Sequence, residues 1–468
     1  MATDVDMIKD AREQWDSAYQ AGRTNDKMGL ECLRFSLGKQ WDGDLEEKRL
    51  KASRPCLVMN KTDEKVRGVE NDFRLSRLGI KVSGVDSNSD PKMAEINAGL
   101  LRSIYYKSNA TAIRNYAFSQ LLRTGRGNWR AVFEYVNDRS FDQCVRLKRI
   151  VDPFSVQWDP FRLELDNSDA NFCFIREELS ETQFKLKYPK AELFSWIGSD
   201  TSQTNWRTQK SLFVAERFWV EIAMEKLYLV DRMDKERGVT ARMAVTKLNP
   251  DLDVVVHKND RPMVRDVENR QVWWQKMTGK EEIEERRRLP TKHIPVFEAY
   301  GREIWENNIR RIKGMVEDMM DPQRMYNYVS SSYAEQVALA PRMPWILTAK
   351  MLGEYQDDWD TMHEENLQYL LWEIDDANPN MKPFRESPGQ ISTAYEAALS
   401  RYDHDIMSAS GRYQANLGER SNERSGAALA RRQHMGDLGS YHYKDNMSIA
   451  MNDEANVVLE MARNVYDG

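Results

Sequence analysis

Apolar residues in the first 125 positions recur mainly at the spacing of a helix. Ala11, Trp15 and Ala18 lie three or four residues apart, which predicts a helix over residues 4–37. Apolar and polar residues alternate over 80–85, which predicts a strand there. The helical spacing also predicts helices over 62–78, from about 93, and over 109–124. The amino-terminal quarter is therefore predicted to be mainly helical.

Beyond Gly127 apolar and polar residues alternate, as they do in half-buried strands. Trp129, Ala131 and Phe133 show the alternation first. The charge run over 280–288 carries both signs, which predicts a solvated helix or the flank of a hairpin. Further strands are predicted over 144–150, 172–175, 213–222, 226–231 and 254–257. The first two thirds of the chain are thus predicted to form an α+β body.

The last third carries three long helical patterns. Asp321-Pro322 supplies an N-cap and a proline in the first turn, which predicts that the first helix begins there. Ser387-Pro388 predicts the start of the second helix in the same way, and the third helical pattern covers about 425–466. Loops between long helices often carry function. The two connections are an aromatic and acidic segment over 341–386 and a polar, arginine-containing segment over 411–425.

Composition narrows the class of protein. The formal net charge is -6, whereas a protein that grips duplex DNA by its phosphates normally has a basic surface, so any DNA partner is expected to be held loosely. The cysteines are scattered without a C-x-x-C pair, which predicts reduced, buried thiols at Cys32, Cys56, Cys144 and Cys173. The chain contains no run of about 18 apolar residues, so no membrane partner is expected.

Few residues are placed for catalysis. Asp159, Asp166 and Asp169 lie in one loop region and could bind a divalent ion for nuclease chemistry. Aspartates beside proline and asparagine also initiate turns, and this is the favoured interpretation. Gly125-x-Gly127 follows a helix and precedes a strand, the reverse of the order that cradles phosphate. No P-loop motif occurs, and no cofactor or metal is expected.

Several short motifs lie along the chain in an order that matches a known family. In the first half they are Phe35-x-x-Gly38-x-Gln40-Trp41, Arg54-Pro55, Asn60-Lys61, Val69-x-Asn71-Asp72-x-Arg74, Ile80-Lys-Val82, Val156-x-Trp158-Asp159-Pro160 and Asp169-Ala170. In the second half they are Ile294-Pro-Val296, Tyr300-Gly301, Lys313-Gly314, Asp321-Pro322-Gln323-Arg324, Asn327, Tyr443-x-Asp445-Asn446-Met447 and Val465-Tyr466-Asp467. In these motifs the chain resembles the portal proteins of short-tailed bacteriophages, of the Salmonella podovirus type.

The resemblance implies a portal fold with an α+β wing, a helical stem, a small α/β clip and a long wing helix, assembled as a ring of twelve subunits around a channel. Relatives continue past the equivalent of Asp467, so either this portal is short or further wing and crown elements follow. The implied parts are a wing over 1–315, a first stem helix over 316–340, a clip over 341–386, a second stem helix over 387–410, a tunnel loop over 411–425 and a wing helix region over 426–468 that leads toward the crown.

The resemblance also implies a function without enzymatic activity. A portal is the head-to-tail connector of the virion at one capsid vertex, made in the host cytoplasm, that nucleates capsid assembly and admits and releases DNA. The implied partners are further copies of the chain, double-stranded DNA, terminase, a tail adaptor and the major capsid protein. Two other hypotheses stay open. One is a metal-dependent nuclease that uses the three aspartates named above, and the other is a different structural virion protein, such as a scaffold or capsid adaptor.

Three sets of candidate site residues follow, each with a simpler alternative. The tunnel loop residues that would contact DNA, or that only keep the loop soluble, are Arg412, Arg420 and Arg424. The acidic residues that would line the channel, or that form a solvated outer face, are Glu396, Asp403 and Asp405. The aromatic residues that would form the clip interface, or fill its core, are Trp345, Tyr355, Trp359, Tyr369 and Trp372.

Overall fold

Helix and strand both contribute to the fold, with helix in excess. In the part of the chain that this computed structural model describes, both helices and strands are abundant, so the fold is mixed α/β. The α+β, mainly helical class predicted from the sequence is confirmed at this level. The structure describes residues 4–84, 91–191, 211–234, 239–249, 253–258, 261–307, 309–339, 345–362, 367–377, 379–385, 393–411 and 438–466.

Among the described residues, the longer helices follow the apolar spacing that predicted them, with shifted ends in places, whereas the helices of nine residues or fewer were not predicted. They are α1 (Asp4–Ser36), α2 (Gly43–Lys51), α3 (Lys61–Ser76), α4 (Pro91–Ser108), α5 (Ala110–Thr124), α6 (Glu181–Lys187), α7 (Met315–Leu339), α8 (Ala349–Leu352), α9 (Gln356–Thr361), α10 (Ala394–Ser410) and α11 (Tyr441–Ala462). The predicted starts of the last two long helices, at 387 and 425, fall outside the described residues.

The strands pair throughout as antiparallel neighbours. They are β1 (Arg126–Tyr135), β2 (Gln143–Arg149), β3 (Val156–Trp158), β4 (Phe172–Ser180), β5 (Ser211–Asp234), β6 (Val239–Val245), β7 (Asp253–Val255), β8 (His257–Lys258), β9 (Arg261–Pro262), β10 (Val264–Met277), β11 (Glu282–Arg288), β12 (Val296–Tyr300), β13 (Arg302–Glu306), β14 (Ile309–Lys313), β15 (Trp345–Ile346) and β16 (Phe384–Arg385).

These strands form two larger sheets and three small pairs. One sheet has the order β12-β1-β2, and the other has the order β11-β10-β5-β4-β3 with β6 and β7 also paired to β5. The 24-residue β5 replaces the two separate strands predicted over 213–222 and 226–231, because it finds partner strands along its whole length. The mixed charge run over 280–288 forms β11 against β10, so its interpretation as a hairpin flank is confirmed.

The chain divides into two compact units. The first comprises Met1–Arg34, Glu64–Asp318 and Ser410–Gly468, and the second comprises Phe35–Asp63 and Met319–Ala409.

In the first unit, the apolar face of α1 packs on the larger sheet. Trp15 is buried and meets Phe174 of β4 edge to face, with ring centroids 5.5 Å apart. Ala11 and Ala18 are buried in the same cluster, so the predicted apolar face of this helix is confirmed. Close contact of small and aromatic side chains is what anchors a helix on a pleated sheet.

The glycine pair after α5 serves packing between that helix and β1. Gly125 ends the helix with a φ of +88°, a conformation that glycine adopts without strain. A Cβ atom on Gly127 would lie 2.0 Å from the backbone oxygen of Ala117, so any side chain there would collide with α5. The rejection of this pair as a phosphate site is consistent with these structural roles.

A buried charge joins α11 to the three-stranded sheet of the first unit. The Glu454 side chain is fully buried, and its Oε1 accepts a hydrogen bond of 2.6 Å from the Arg114 guanidinium of α5. Its Oε2 accepts a second hydrogen bond, also 2.6 Å, from the Trp129 indole nitrogen of β1. Buried carboxylates need such partners because desolvation strongly disfavours an isolated charge. This contact ties α11 to two neighbouring elements, α5 and β1, that precede it by more than 300 residues.

Two sequence predictions are wrong. Residues 80–84 form no strand, because the described part of the chain offers them no partner strand, although Ile80 and Val82 alternate as a strand would. The first long helix does not begin at Asp321, because α7 starts at Met315 and carries Pro322 inside it. Burial of the four methionine and valine side chains at the start of α7 outweighs the local proline signal. These are Met315, Val316, Met319 and Met320.

Replacing the buried carboxylate tests this account of the first unit. Glu454→Ala leaves the Arg114 charge buried without its partner, so we expect a loss of about 3–5 kcal/mol in the free energy of unfolding. Glu134→Ala breaks the exposed pair with Lys148 and is the matched control, with an expected loss below about 1 kcal/mol. Urea unfolding of the three proteins measures both. Equal losses in the two variants would contradict the role given to Glu454.

Candidate functional site

In the second unit, side-chain amides of α7 hold the backbone that leads into α3. The Gln323 Oε1 atom accepts hydrogen bonds from the backbone N–H groups of Lys61 (3.1 Å) and Thr62 (3.2 Å). Its Nε2 donates to the carbonyl of Met59 over 2.7 Å, and Asn327 Oδ1 accepts from the Met59 N–H over 3.0 Å. The first N–H groups of a helix have no partner within it, so α7 supplies the missing acceptors for α3.

The same network continues into the segment after α1. Asn327 donates from Nδ2 to the Gln40 Oε1 atom over 2.7 Å. Gln40 donates to Asn60 Oδ1 over 2.9 Å and to the carbonyl of Phe35 over 3.1 Å. Asn60 in turn donates to the carbonyl of Ser36 over 2.8 Å. Every amide in this cluster is therefore both donor and acceptor, which specifies one arrangement of the segment on α7.

Arg49 of α2 contacts the rings of Trp41 and Tyr328, and we call these three residues the aromatic clamp. The Arg49 guanidinium lies 5.4 Å from the ring centroid of Trp41 and 5.2 Å from that of Tyr328. Its Nη2 donates to the carbonyl of Pro55 over 3.1 Å and lies 3.7 Å from a Glu335 carboxylate oxygen. Only 5% of the Arg49 side chain is exposed, so these contacts replace its hydration. The clamp joins α2 to α7.

Within the second unit, α10 contacts both α7 and the start of α3. The rings of Tyr333 on α7 and Tyr395 on α10 have centroids 5.9 Å apart. Lys61 donates from Nζ to Asp403 of α10 over 2.5 Å. Burial lowers the pKa of the Lys61 ammonium group. The hydrogen bond to Asp403 and the negative charge of Asp403 outweigh this effect, so the pKa of Lys61 is raised above its usual value. The α10 helix therefore contacts α7 through one pair of aromatic rings and the start of α3 through one ion pair.

The acidic residues predicted on α10 occupy different environments. Glu396 is exposed, Asp405 is half-buried, and Asp403 is half-buried with its charge paired to Lys61. The exposed side of α10 also presents Arg401 and His404. The exposed side of α10 therefore carries charges of both signs, and the channel-lining role of Glu396, Asp403 and Asp405 stays a prediction.

The aromatic residues of the 341–386 segment divide between core and surface. Trp345 and Trp359 meet edge to face with centroids 5.4 Å apart, and the Trp359 indole donates to the carbonyl of Leu371 over 2.8 Å. Tyr355 and Trp372 are half-buried. Tyr369 is 77% exposed and has large apolar side chains exposed in the same segment. These are Ile346, Leu367, Leu371, Ile374 and Phe384.

The three arginines assigned to the loop over 411–425 are Arg412, Arg420 and Arg424, and they lie outside the described residues. Their contacts therefore remain a prediction.

The three aspartates considered for nuclease chemistry hold turns. Asp159 Oδ1 accepts from the Phe161 N–H over 3.0 Å, while its Oδ2 accepts from the backbone and side-chain nitrogens of Asn171 over 3.1 and 3.0 Å. Asp166 accepts from the Ser168 N–H over 3.0 Å. These hydrogen bonds confirm the turn interpretation.

Asp169 closes the same loop from its other end. Its Oδ2 accepts from the N–H groups of Leu163 over 2.6 Å and Glu164 over 3.3 Å. Among the residues the structure describes, no group of three or more His, Cys, Asp or Glu side chains could hold a metal ion. The aspartates of this loop thus accept hydrogen bonds from the backbone of the loop itself.

Comparison with known proteins assigns the class. The family model described as "Phage P22-like portal protein" matches residues 12–468, so the chain belongs to the P22-like family of phage portal proteins. The chain is also similar to the portal protein of Acyrthosiphon pisum secondary endosymbiont phage 1, with 25% identity over 475 aligned residues. The alignment covers 97% of this chain and 65% of that relative, so the chain spans less than two thirds of the relative's length.

Membership confirms the resemblance seen in the motifs. The sequence identified Gln40, Asn60, Lys61, Gln323 and Asn327 as separate motif residues, and the structure brings all five into one network. Their shared amide chemistry was visible in the sequence, but no periodicity connects positions about 270 residues apart. Within the described helices, none is long and apolar enough to cross a membrane.

Removing one amide tests the network. Gln323→Ala leaves the N–H groups of Lys61 and Thr62 and the carbonyl of Met59 without these partners, so we expect a loss of about 1–3 kcal/mol. Hydrogen exchange followed by mass spectrometry should show faster exchange at residues 59–62. Gln336→Ala, at an exposed position of the same helix, is the control and should leave that exchange unchanged. Unaltered protection of 59–62 in Gln323→Ala would contradict the assignment.

Proposed function

We propose that this chain is the subunit of a twelve-membered ring that forms the portal at one capsid vertex. The ring admits DNA during packaging and releases it during ejection. The observation that carries this proposal is membership in a phage portal family over nearly the whole chain. The ring contact of Tyr333 on α7 with Tyr395 on α10 supports two neighbouring stem helices within the subunit, and the ion pair of Lys61 on α3 with Asp403 adds a second anchor for α10.

The parts of the proposed portal follow the order of the chain. The α+β body over 1–315 is the wing, and α7 and α10 lie within the two stem segments, 316–340 and 387–410. The segment over 341–386 is the clip, 411–425 is the tunnel loop, and 426–468 is the wing helix region that leads toward a crown. In a closed ring the stem helices of all subunits surround the channel.

Repetition around the ring explains how weak contacts guide DNA. Each side chain occurs once per subunit, so one weak arginine–phosphate contact becomes many equivalent contacts that share the load. We assign this role to Arg412, Arg420 and Arg424 of the tunnel loop. The charges of both signs on the exposed side of α10, among them Glu396 and Arg401, and the half-buried Asp405 would keep the stem from binding phosphate strongly.

The clip is proposed to contact neighbouring subunits, terminase and a tail adaptor. Rigid aromatic anchors are enriched in protein interfaces, and Tyr369 is the most exposed of the clip aromatics. Trp345 and Trp359 instead stabilise the clip from within. The wing is proposed to meet the major capsid protein and to nucleate capsid assembly in the host cytoplasm, before the portal becomes part of the virion. The role is structural, and the packaging ATPase is a separate partner.

A packaging reaction tests the function. Procapsids that contain the chain, supplied with their terminase, should protect DNA from nuclease, and procapsids without it should not. Combined alanine substitution of Arg412, Arg420 and Arg424 removes three phosphate contacts per subunit, so the DNA affinity of the ring should fall on the order of tenfold or more at low salt.

The matched control replaces the same three arginines by lysine, which keeps the charge and should retain most of the affinity. Equal packaging with and without the chain would contradict the portal function. Unchanged affinity and salt dependence in the alanine variant would contradict only the role of the tunnel loop.

A further inference from the structure

A loop of the first unit presents apolar side chains to solvent. Between β3 and β4, residues 160–169 form what we call the Phe161 loop. Phe161 is 81% exposed and Leu163 is 69% exposed, and Leu165 is also exposed. Three apolar side chains at alternate positions of one short loop form a patch of the kind that marks protein interaction sites.

Hydrogen bonds hold the Phe161 loop in place although it lacks regular structure. Asp159 and Asp169 accept hydrogen bonds from the N–H groups of Phe161, Leu163 and Glu164. Arg162 points inward and is buried, and it donates to Asn167 Oδ1 over 2.7 Å. A loop already held in one conformation loses little entropy on binding, so its exposed side chains are suited to act as anchors.

Arg162 also fastens the loop to the three-stranded sheet. Its Nη2 lies 3.0 Å from the Glu298 carboxylate and 3.0 Å from the Tyr300 hydroxyl, both on β12. The base of the loop is thus part of the buried core of the first unit, while Phe161 and Leu163 stay outside it.

Elsewhere in the first unit a pocket has complementary chemistry. The Leu78 pocket lies between the segment over 78–82 and the helices α4 and α5, and its volume is about 780 Å³. Its apolar lining includes Leu78, Ile80, Val82 and Leu101. The volume is in the range that receives bulky apolar groups. Ile80 and Val82, which were expected in a strand, line this cavity together with Leu78, Gly79 and Lys81.

The charges of the two surfaces are opposite. Lys81 and Arg102 are exposed at the Leu78 pocket, and Arg77 lies in the adjoining cavity that shares Leu78. The Phe161 loop carries Glu164, which is exposed, and Asp166, which is half-buried. Opposite charges at the rim of an apolar contact favour encounter and fix its register.

We propose that the Phe161 loop of one subunit inserts into the Leu78 pocket of the next copy of the chain. A closed ring of identical subunits is built from heterologous contacts, in which two different surfaces of the same chain meet. The loop and the pocket are two such surfaces, matched in apolar character and opposite in charge. This inference rests on the ring assembly proposed above.

Cross-linking between two variants tests the contact. In a Cys56→Ser background, whose other three cysteines are buried, one variant carries Leu163→Cys and the other carries Leu78→Cys. Both substitutions fall on exposed side chains, so the fold should be unchanged. The two variants are expressed together, treated with a short bis-maleimide, and compared with each variant expressed alone.

We expect a cross-linked dimer in the mixture that neither variant forms alone. Phe141→Cys replaces Leu163→Cys in the control, because Phe141 is 96% exposed and lies outside the Phe161 loop, and it should give no dimer with Leu78→Cys. If the mixture forms closed rings under the electron microscope without the dimer, the contact is wrong and the portal function stands. If the wild-type chain forms no rings, both proposals fail.

Assembly strength gives a second readout. Phe161→Ser combined with Leu163→Ser removes the two most exposed anchors of the loop, so the protein concentration needed for half-assembly should rise on the order of tenfold or more. Phe141→Ser should leave that concentration unchanged. An unchanged assembly midpoint in the Phe161 and Leu163 double variant would overturn the proposal.

Discussion

The buried amides of α7 are the constraint on which the second unit depends. The backbone over 57–62 enters α3 without strand partners, and Gln323 and Asn327 supply the hydrogen bonds that it needs. Because an unpaired buried N–H or C=O group is costly, the segment and the helix can adopt only the registers that satisfy these groups. The proposed stem helix is therefore positioned by a stretch of chain that precedes it by more than 250 residues.

The first unit follows the same principle with a charge in place of amides. One apolar cluster lies between α1 and the larger sheet and another lies between the two sheets, and they supply most of its driving force, since buried apolar area is the main favourable term in folding. Burial of the Glu454 charge adds little net stability. Removing Glu454, however, would leave the buried Arg114 charge without its partner, so the pair specifies where α11 lies. Arg162 does the same for the Phe161 loop, which it ties to β12. In both units the polar contacts specify how the helices and strands are arranged, and the apolar contacts stabilise that arrangement.

Much of the fold could be predicted from local patterns, and the failures have physical causes. Ala11 and Trp15 revealed α1 because one apolar face is buried along the helix. The strand predicted over 80–85 is wrong because alternation alone does not supply a partner strand, and the described part of the chain offers residues 80–84 none. Pro322 predicted the wrong start for α7, because burial of Met319 and Met320 outweighs the local preference of proline for the first turn. The site was recognised only as scattered motifs, since hydrogen bonds between distant positions leave no periodic trace in a sequence.

The central claim is that the chain closes into a ring around an axial channel, and imaging of the purified protein by negative-stain electron microscopy tests it most directly. The account predicts round particles with a central stain-filled hole, and class averages with a rotational symmetry expected to be twelve-fold. Particles of one or two subunits under every assembly condition would contradict the claim, and the proposed passage of DNA would fail with it.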